Sequence, residues 1–287
     1  IMLGGTAILQ DIFAAPEMAR QIRDEAASFT MGATPFLNDL TEHVAATGQA
    51  TASLRVFVSA GAPIPRALVA KARQTLGAAI VSAWGMSENG AVTTTRLDDG
   101  EEKATTTDGC KLPGIELRIV DANGALLPNG SEGQLQVRGC SNFVGYLKRP
   151  ELNPSDPDGW FDTGDVATID AEGFMAITDR TKDVIKSGGE WISSVELENA
   201  AVGCPGVAEA AAIGVYHPKW DERPILLVVK KDGAALSEAD VTTYLAGVVA
   251  KWWLPDEVLF VDALPVGGTG KVQKNELRQK YGSVFTT

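Results

Sequence analysis

Three short blocks contain the residues of this chain that are best suited to chemistry. The first (GWFDTGD) ends in Asp165, the second (DRTKD) contains Arg180, and the third (GTGK) ends in Lys271. A carboxylate can accept two hydrogen bonds at once, which suits the vicinal hydroxyls of a ribose. A guanidinium and an ammonium stabilise negative charge that develops on a phosphate. The order and content of the blocks therefore predict a site for a nucleotide.

Simpler explanations exist for each block. The segment that ends in Asp165 could be an ordinary turn with an Asx cap, and Asp179 with Arg180 could be a surface ion pair. The glycines before Lys271 look briefly like a nucleotide phosphate-binding loop. That loop would need an earlier glycine and a magnesium-binding Ser or Thr after the lysine, where Val272 stands. This third interpretation is rejected.

Composition excludes several classes of protein. The chain has 287 residues, of which 45% are hydrophobic and 22% charged, as expected for one large or two ordinary globular domains. The net charge of −12 argues against a nucleic-acid partner. No apolar run approaches the ~18 residues of a membrane span, and residues 1–15 lack the basic start of a signal peptide. Two histidines without a Gly-x-Ser-x-Gly motif disfavour a hydrolase.

Three isolated cysteines predict reduced thiols in a cytoplasmic protein: Cys110, Cys140 and Cys204. Their number is odd and their spacing does not match a metal site. A homo-oligomer is compatible with the sequence.

The first third of the chain predicts an α/β layer, over about residues 1–102. Helices are expected at 15–27 and 65–76, and strands at 30–33, 54–59 and 79–83, in an alternation typical of a parallel sheet. Residues 103–181 are instead rich in short strands, expected at 115–121, 133–139 and 174–179. Asn123-Gly124 is a strong hairpin signal. This part predicts a small β-barrel or a distorted sheet.

Residues 182–287 predict a separate, small α+β domain. Helices are expected at 195–202 and 274–281, and strands at 207–216, 225–230 and 257–261. Ser237 and Asp240 have the spacing of a capping box that opens another helix. We place the domain boundary between Thr181 and Lys182.

With these motifs in place, the chain resembles the ANL superfamily of adenylate-forming enzymes, and within it the AMP-forming acyl-CoA synthetases. Residues 82–88 (SAWGMSE) are similar to the aromatic-Gly-x-Thr-Glu block of that family. The resemblance implies that Trp84 lies beside adenine, Ser87 bonds a phosphate and Glu88 binds Mg²⁺. Trp84 and Ser87 replace the usual Tyr and Thr, while Ser82 replaces a more typical Asn or Asp. Further nucleotide-binding positions are implied at Gly61, Ala62, Pro63, Ser82, Gly85, Met86 and Ile177.

The resemblance also implies how the two domains work. Lys182 occupies the hinge position, about which the small domain would pivot between two half-reactions. Lys186 is similar to a lysine that faces the active site during thioester formation. Gly188 and Gly189 lack a Cβ, so that the pantetheine chain of CoA could lie against them. Trp191 could line that tunnel or pack in the core.

The implied activity has two steps. A carboxylate attacks the α-phosphate of Mg·ATP to give acyl-AMP, and CoA then displaces AMP; Lys271, Lys186 and Glu88 are the catalytic candidates. Residues 31–36 and 188–193 look most similar to ligases for medium-chain fatty or alicyclic acids, such as cyclohexanecarboxylate. Phe36 and Gly85 could line the acyl pocket or pack in the core. One alternative is an amino-acid-activating module that loads a carrier protein.

A non-catalytic nucleotide-binding relative is the other alternative, although it would be expected to have lost Lys271 or Glu88, and both are present. The family's early Ser/Thr/Gly-rich loop, which ends in lysine and wraps the β- and γ-phosphates, is absent from the sequence. We therefore expect residues 1–287 to be the C-terminal portion of a longer synthetase. By itself, this portion should form acyl-adenylate negligibly.

Overall fold

The computed structural model describes residues 4–61, 64–267 and 271–285. Contacts between Cα atoms divide the chain into two compact units. The first contains Ile1–Thr163 and Thr168–Ile177, and the second contains Gly164–Ala167 and Thr178–Thr287. Asp165 and Arg180 thus belong to the same unit as Lys271.

The first unit begins with alternating helices and strands. The helices are α1 (Ala15–Asp24), α2 (Thr34–Thr47), α3 (Arg66–Leu76) and α4 (Gly100–Thr106). The strands are β1 (Phe29–Ala33), β2 (Val56–Ala60), β3 (Ala79–Met86), β4 (Gly90–Thr94), β5 (Gly109–Lys111), β6 (Ile115–Val120) and β7 (Gly133–Gly139). Strands β1, β2 and β3 pair in parallel, which confirms the predicted α/β layer.

The core of this layer forms because each helix has an apolar stripe that faces the sheet. Helix α2 buries Leu37, Leu40 and Val44, and α3 buries Val69 and Ala72. Helix α2 was not predicted, although its buried residues recur at the 3–4-residue spacing of a helix. Pro35 at its first turn suits a helix start, so the sequence did contain the signal.

A single nine-stranded sheet runs through residues 29–180. It also includes β8 (Phe161–Ile169) and β9 (Phe174–Arg180), in the order β1-β2-β3-β4-β5-β9-β8-β7-β6. The order is linear in the part of the chain that the structure describes, and β3 pairs antiparallel with β4 where the parallel layer ends. Residues 105–180 therefore continue the same sheet, which agrees with the distorted-sheet alternative, and the described strands form no closed barrel.

The second unit continues with a five-stranded sheet and three helices. Its strands are β10 (Ile185–Ser187), β11 (Glu190–Ile192), β12 (Val207–His217), β13 (Asp221–Lys230) and β14 (Glu257–Phe260), in the order β11-β10-β13-β12 with β14 parallel to β13. The helices are α5 (Ser194–Val202), α6 (Glu238–Ala246) and α7 (Lys274–Tyr281). The predicted capping box at Ser237 and Asp240 is confirmed.

Both faces of the β12–β13 pair are covered, which explains its continuous apolar sequence. Helices α5 and α6 pack on one face through Leu197, Val241 and Leu245. Helix α7 packs Leu277 against Ile213 and other residues of the opposite face. Two short 3-10 helices lie outside the sheets, at Pro150–Leu152 and Lys251–Trp253. Among the described residues, no helix combines the length and apolarity required to cross a bilayer.

Candidate active site

Asp165 and Arg180 form an ion pair in the second unit. Asp165 lies in β8 and Arg180 ends the neighbouring strand β9, so the sheet brings the two side chains together. Arg180 Nε donates to Asp165 Oδ1 across 3.1 Å; the aspartate side chain is 4% exposed and the arginine side chain 46%. A buried carboxylate beside a partly exposed guanidinium offers an acceptor and a donor at one position. The binding of a ribose by Asp165 and of an adjoining phosphate by Arg180 stays a prediction.

A tight turn follows Arg180 and contains Lys182. The amides of Asp183 and Val184 both donate to the carbonyl of Arg180, at 2.8 Å each, and the amide of Thr181 donates to Gly164 at 2.9 Å. These bonds fix the backbone around Lys182, whose side chain is exposed. The hinge role of Lys182 stays a prediction.

Strands β10 and β11 form a hairpin whose two-residue turn is Gly188-Gly189. Their φ angles are +62° and +90°, and Ser187 pairs with Glu190 across the turn. Two-residue hairpin turns of this kind require positive φ at both positions, which only glycine adopts freely. A Cβ on Gly188 would also lie 3.0 Å from the ring of Trp220. Turn geometry therefore explains both glycines without a ligand, so they carry little weight as evidence for a pantetheine tunnel.

Lys186 and Trp191 are directly opposite each other in this hairpin. Cross-strand partners lie on the same face of a sheet, so the exposed lysine and the half-buried indole are neighbours. The amide of Lys186 donates to Glu222 Oε2 at 2.9 Å. The proposed catalytic lysine and the candidate tunnel residue are thus held together on one short element.

Lys271 stands at the edge of the loop that the sequence analysis singled out. Gly268, Thr269 and Gly270 lie outside the described residues. The base of the loop is defined: Val266 bridges to Val272, and the amide of Gly267 donates to the carbonyl of Lys271 at 2.8 Å. The Lys271 side chain is exposed, and its ammonium has no ion-pair partner within the ranges that the structure describes.

In the first unit, Ser87 and Glu88 lie at the tip of the β3–β4 hairpin. The turn is closed by Asn89, whose side-chain oxygen accepts from the amide of Met86 at 3.1 Å. Ser87 is exposed and Glu88 half-buried. Tyr146 donates its hydroxyl to Glu88 Oε1 at 2.8 Å, and this bond raises the pKa of the tyrosine.

Glu88 could bind Mg²⁺ only together with oxygen ligands from a substrate or from water. The described residues contain no cluster of three or more His, Cys, Asp or Glu that could hold a metal ion. One carboxylate oriented by a neighbouring hydroxyl is nevertheless typical of a magnesium site that is completed by substrate phosphates and water. Glu88 would supply the protein's share of such a site.

Trp84 and Gly85 are explained in large part by packing. Trp84 packs against the buried cluster of Val92, Ile115 and Val137. A Cβ on Gly85 would lie 1.9 Å from the carbonyl oxygen of Gly90, because β4 approaches closely at a β-bulge. The core-packing alternative is therefore favoured for Gly85.

Ser82 and Ile177 are brought together by Asp108, a residue that the sequence analysis missed. Ser82 is buried, and its hydroxyl donates to Asp108 Oδ1 at 3.4 Å. The amide of Ile177 donates to Asp108 Oδ2 at 2.8 Å. No local motif marks Asp108, since its partners are 26 and 69 residues away. Tyr146 was missed for the same reason, because it is 58 residues from Glu88.

The remaining candidates are less informative. Gly61 follows β2, is exposed and has a φ of +83°. Ala62 and Pro63 lie outside the described residues. Phe36 is 39% exposed and stacks on Phe13 with ring centroids 4.1 Å apart.

An open groove of about 680 Å³ lies in the second unit. Of the predicted site residues, Gly188 alone is part of its lining, which consists of Ser187, Gly188, Glu190, Trp220, Arg223, Trp252 and Asp256. Arg223 is held by Asp256 at 2.6 Å and by the carbonyl oxygens of Trp252 and Leu254 at 2.9 Å each. The charge of Arg223 is therefore paired within the second unit.

Known proteins resemble this chain over nearly all of its length. The family described as "AMP-binding enzyme" matches residues 1–147, and its C-terminal domain matches residues 196–271. A 3-methylmercaptopropionyl-CoA ligase of Ruegeria pomeroyi is 44% identical over 270 residues, covering 90% of this chain and 50% of the relative. A medium-chain-fatty-acid–CoA ligase of Ectopseudomonas oleovorans is 39% identical, covering 93% of this chain and 51% of the relative.

Among solved structures, ATP-bound MatB from Rhodopseudomonas palustris superposes with a TM-score of 0.88 at 33% identity. The match covers 95% of this chain and 54% of that protein. The chain thus spans about half the length of the curated relatives that it matches. Because the family match extends over more than half of its residues and both family regions occur in the expected order, the chain belongs to the AMP-binding enzyme family.

Proposed function

We propose that this chain carries the AMP-binding and acyl-transfer machinery of an AMP-forming acyl-CoA ligase. The substrates would be a carboxylic acid, ATP with Mg²⁺, and CoA. The observation that carries the proposal is the ion pair between Asp165 and Arg180, which couples a buried acceptor within β8 to an accessible cation at the end of β9. The names of the similar proteins, which are mostly CoA ligases, support the same reaction class.

We assign one role to each candidate residue of the site. Asp165 accepts the ribose hydroxyls and Arg180 neutralises the adjoining phosphate. Lys271 offsets the negative charge that accumulates when the substrate carboxylate attacks the α-phosphate. Glu88, oriented by Tyr146, would hold Mg²⁺, and the ion would supply charge neutralisation near the phosphates. Lys186 acts in the later thioester step, with Lys182 as the hinge.

The acyl group is proposed only by class. Similarity to ligases for a methylmercapto acid and for medium-chain acids supports a short or medium-length, largely apolar acid. The acceptor is proposed to be free CoA, and the cytoplasm is the proposed location. Assaying free CoA against a carrier protein as acceptor distinguishes this ligase from a carrier-loading module.

Replacement of Lys271 by Ala tests the proposed reaction in the native protein that contains this chain. We expect adenylation, measured as pyrophosphate exchange, to fall by roughly 10²–10³-fold, because one donor to transition-state charge is lost. Thioester formation from supplied acyl-adenylate should change little. Lys280→Ala, on the exposed face of α7, is the matched control. An equal loss in both half-reactions would contradict the role assigned to Lys271.

A further inference from the structure

A group of three charged side chains and one serine hydroxyl lies inside the second unit and has no role in the function proposed above. It consists of Asp179, Ser194, Glu198 and Lys274. Asp179 is 1% exposed, and the side chains of Glu198 and Lys274 are 19% and 11% exposed. Charged residues are rarely buried unless they are paired, so these contacts require an explanation.

Lys274 connects the members of the group. Its Nζ lies 2.8 Å from Glu198 Oε1 and donates to Ser194 Oγ at 2.7 Å. The Ser194 hydroxyl lies 2.8 Å from Asp179 Oδ2, and the Ser194 amide donates to the same oxygen at 2.6 Å. The hydroxyl thus accepts from the lysine and donates to the aspartate.

The two carboxylates are also tied to other elements. Asp179 Oδ1 accepts the amide of Arg180 at 2.7 Å, and Glu198 Oε1 accepts the amide of Ala212 in β12 at 2.8 Å. Burial raises the pKa of Asp179 and of Glu198, and Lys274 is the nearby cation that opposes this shift in both. Lys274 therefore favours the ionised form of both carboxyls, against the effect of burial.

The position of Lys274 is unfavourable for helix formation. It is the first residue of α7, where the aligned amide groups disfavour a positive charge. Its burial costs additional desolvation. Local helix stability therefore does not account for a lysine here, whereas pairing with Glu198 and with Asp179 through Ser194 does.

The group links two segments that carry proposed active-site residues. Asp179 directly precedes Arg180, and Lys274 follows Lys271 by three residues. At the base of the Lys271 loop, the amide of Gln273 donates to Pro265 at 2.8 Å. A second tie between the same segments joins Arg278 of α7 to Asp183 at 2.8 Å.

We propose that Lys274 is a positioning residue, which anchors the base of the Lys271 loop to the strand end that carries Arg180. The inference rests on the proposed role of Lys271. It adds a connection at the loop base, made of the Lys274 ammonium, the Ser194 hydroxyl and the Asp179 carboxylate.

Hydrogen exchange of backbone amides tests the anchor without relying on activity. In Lys274→Met, we expect the amides of Gly267 and Gln273 to exchange at least ~10-fold faster than in the native protein, because the loop base loses its tie. Lys280→Met, an exposed lysine of the same helix, should leave these amides unchanged. Ser194→Ala, which removes only the relay hydroxyl, should give an intermediate increase and covers the case in which Lys274→Met does not fold.

The pH dependence of stability gives a second readout. Without Lys274, the pKa values of Asp179 and Glu198 should rise further, so that folding favours their protonated forms. A carboxyl with a raised folded pKa stabilises the folded state at low pH and loses that contribution as pH rises through the folded pKa. The stability deficit of Lys274→Met should therefore grow as pH rises above the ordinary range of carboxyl pKa values, and Lys274→Arg should restore most of it.

The rate of adenylation gives a third readout of the proposed anchor. Lys274→Met should lower kcat for pyrophosphate exchange by ~10-fold or more, with little change in KM for ATP. Unchanged exchange at Gly267 and Gln273 would overturn the anchor, as would normal adenylation by a Lys274→Met protein whose loop base exchanges faster. A normal adenylation rate in Lys271→Ala would instead refute the proposed function, and the exchange data would still decide the anchor.

Discussion

Asp165 and Arg180 lie 15 residues apart in the sequence, and their side chains meet because β8 and β9 are neighbours in the sheet. Glu88 and Tyr146 are 58 residues apart and meet through a hydrogen bond of 2.8 Å. At the residue scale, the sequence identified both members of the first pair and Glu88 of the second. Tyr146 became visible only in the fold, because nothing near it in the chain marks it as a partner of Glu88.

The bond from Tyr146 predicts a role in metal affinity. Tyr146→Phe removes one hydroxyl that orients the Glu88 carboxylate, and the tyrosine is 38% exposed, so a modest effect is expected. The Mg²⁺ concentration that half-saturates pyrophosphate exchange should rise by roughly 3–10-fold. Tyr216→Phe, at an exposed tyrosine of β12, is the control. An unchanged Mg²⁺ titration would show that Tyr146 does not contribute to Mg²⁺ binding.

At the element scale, the β10–β11 hairpin changes the interpretation of a motif. The sequence suggested that Gly188 and Gly189 leave space for a ligand. The structure shows that the two-residue turn requires positive φ at both positions, and that Gly188 also lies against Trp220. Strand pairing and aromatic packing thus account for these glycines, and a role in binding needs separate evidence.

Comparison of two glycines measures the contribution of that packing. Gly188→Ala and Gly233→Ala both place a Cβ on left-handed backbone, at φ angles of +62° and +73°. Only Gly188 has a neighbour within 4 Å, the Trp220 ring. We expect Gly233→Ala to lower the free energy of unfolding by about 1–2 kcal/mol and Gly188→Ala to lower it further. Equal losses in denaturant titrations would show that the Trp220 contact contributes nothing.

At the scale of the whole molecule, two compact units contain different parts of the proposed machinery. The first contains Glu88 and its tyrosine, and the second contains Asp165, Arg180 and Lys271. The sequence lacks a Ser/Thr/Gly-rich phosphate loop, and the chain matches about half the length of its curated relatives. The groups that would bind the β- and γ-phosphates are therefore not accounted for by these 287 residues.

The purified chain of 287 residues should accordingly be a poor adenylating enzyme. Loss of even one donor to a developing charge lowers rates by about 10²–10³-fold, and a phosphate loop supplies several. We expect pyrophosphate exchange by this chain to be at least ~100-fold slower than by a full-length AMP-forming acyl-CoA ligase. A rate comparable to that of the full-length ligase would show that these residues bind the leaving pyrophosphate without such a loop.

The sequence by itself determined the local elements and the residue types of the candidate site. The spacing of apolar residues predicted α1, Ser237 and Asp240 predicted the start of α6, and three short motifs selected Asp165, Arg180 and Lys271. Helices α3 and α7 and the parallel strands were also predicted from the sequence. Helical periodicity and capping act over a few residues, so they can be read from a single chain. Helix α2 had the same signal and was overlooked.

Only the tertiary structure decided which distant residues meet. It joined the β-rich segment to the parallel layer as one sheet, placed Asp108 between Ser82 and Ile177, and brought Lys274 to Ser194 from 80 residues away. Such contacts depend on strand order and on how helices cover a sheet, and local sequence does not encode either. Nothing in the sequence marks Lys274 at the start of α7, and its proposed role as an anchor depends on the two carboxylates that folding brings beside it.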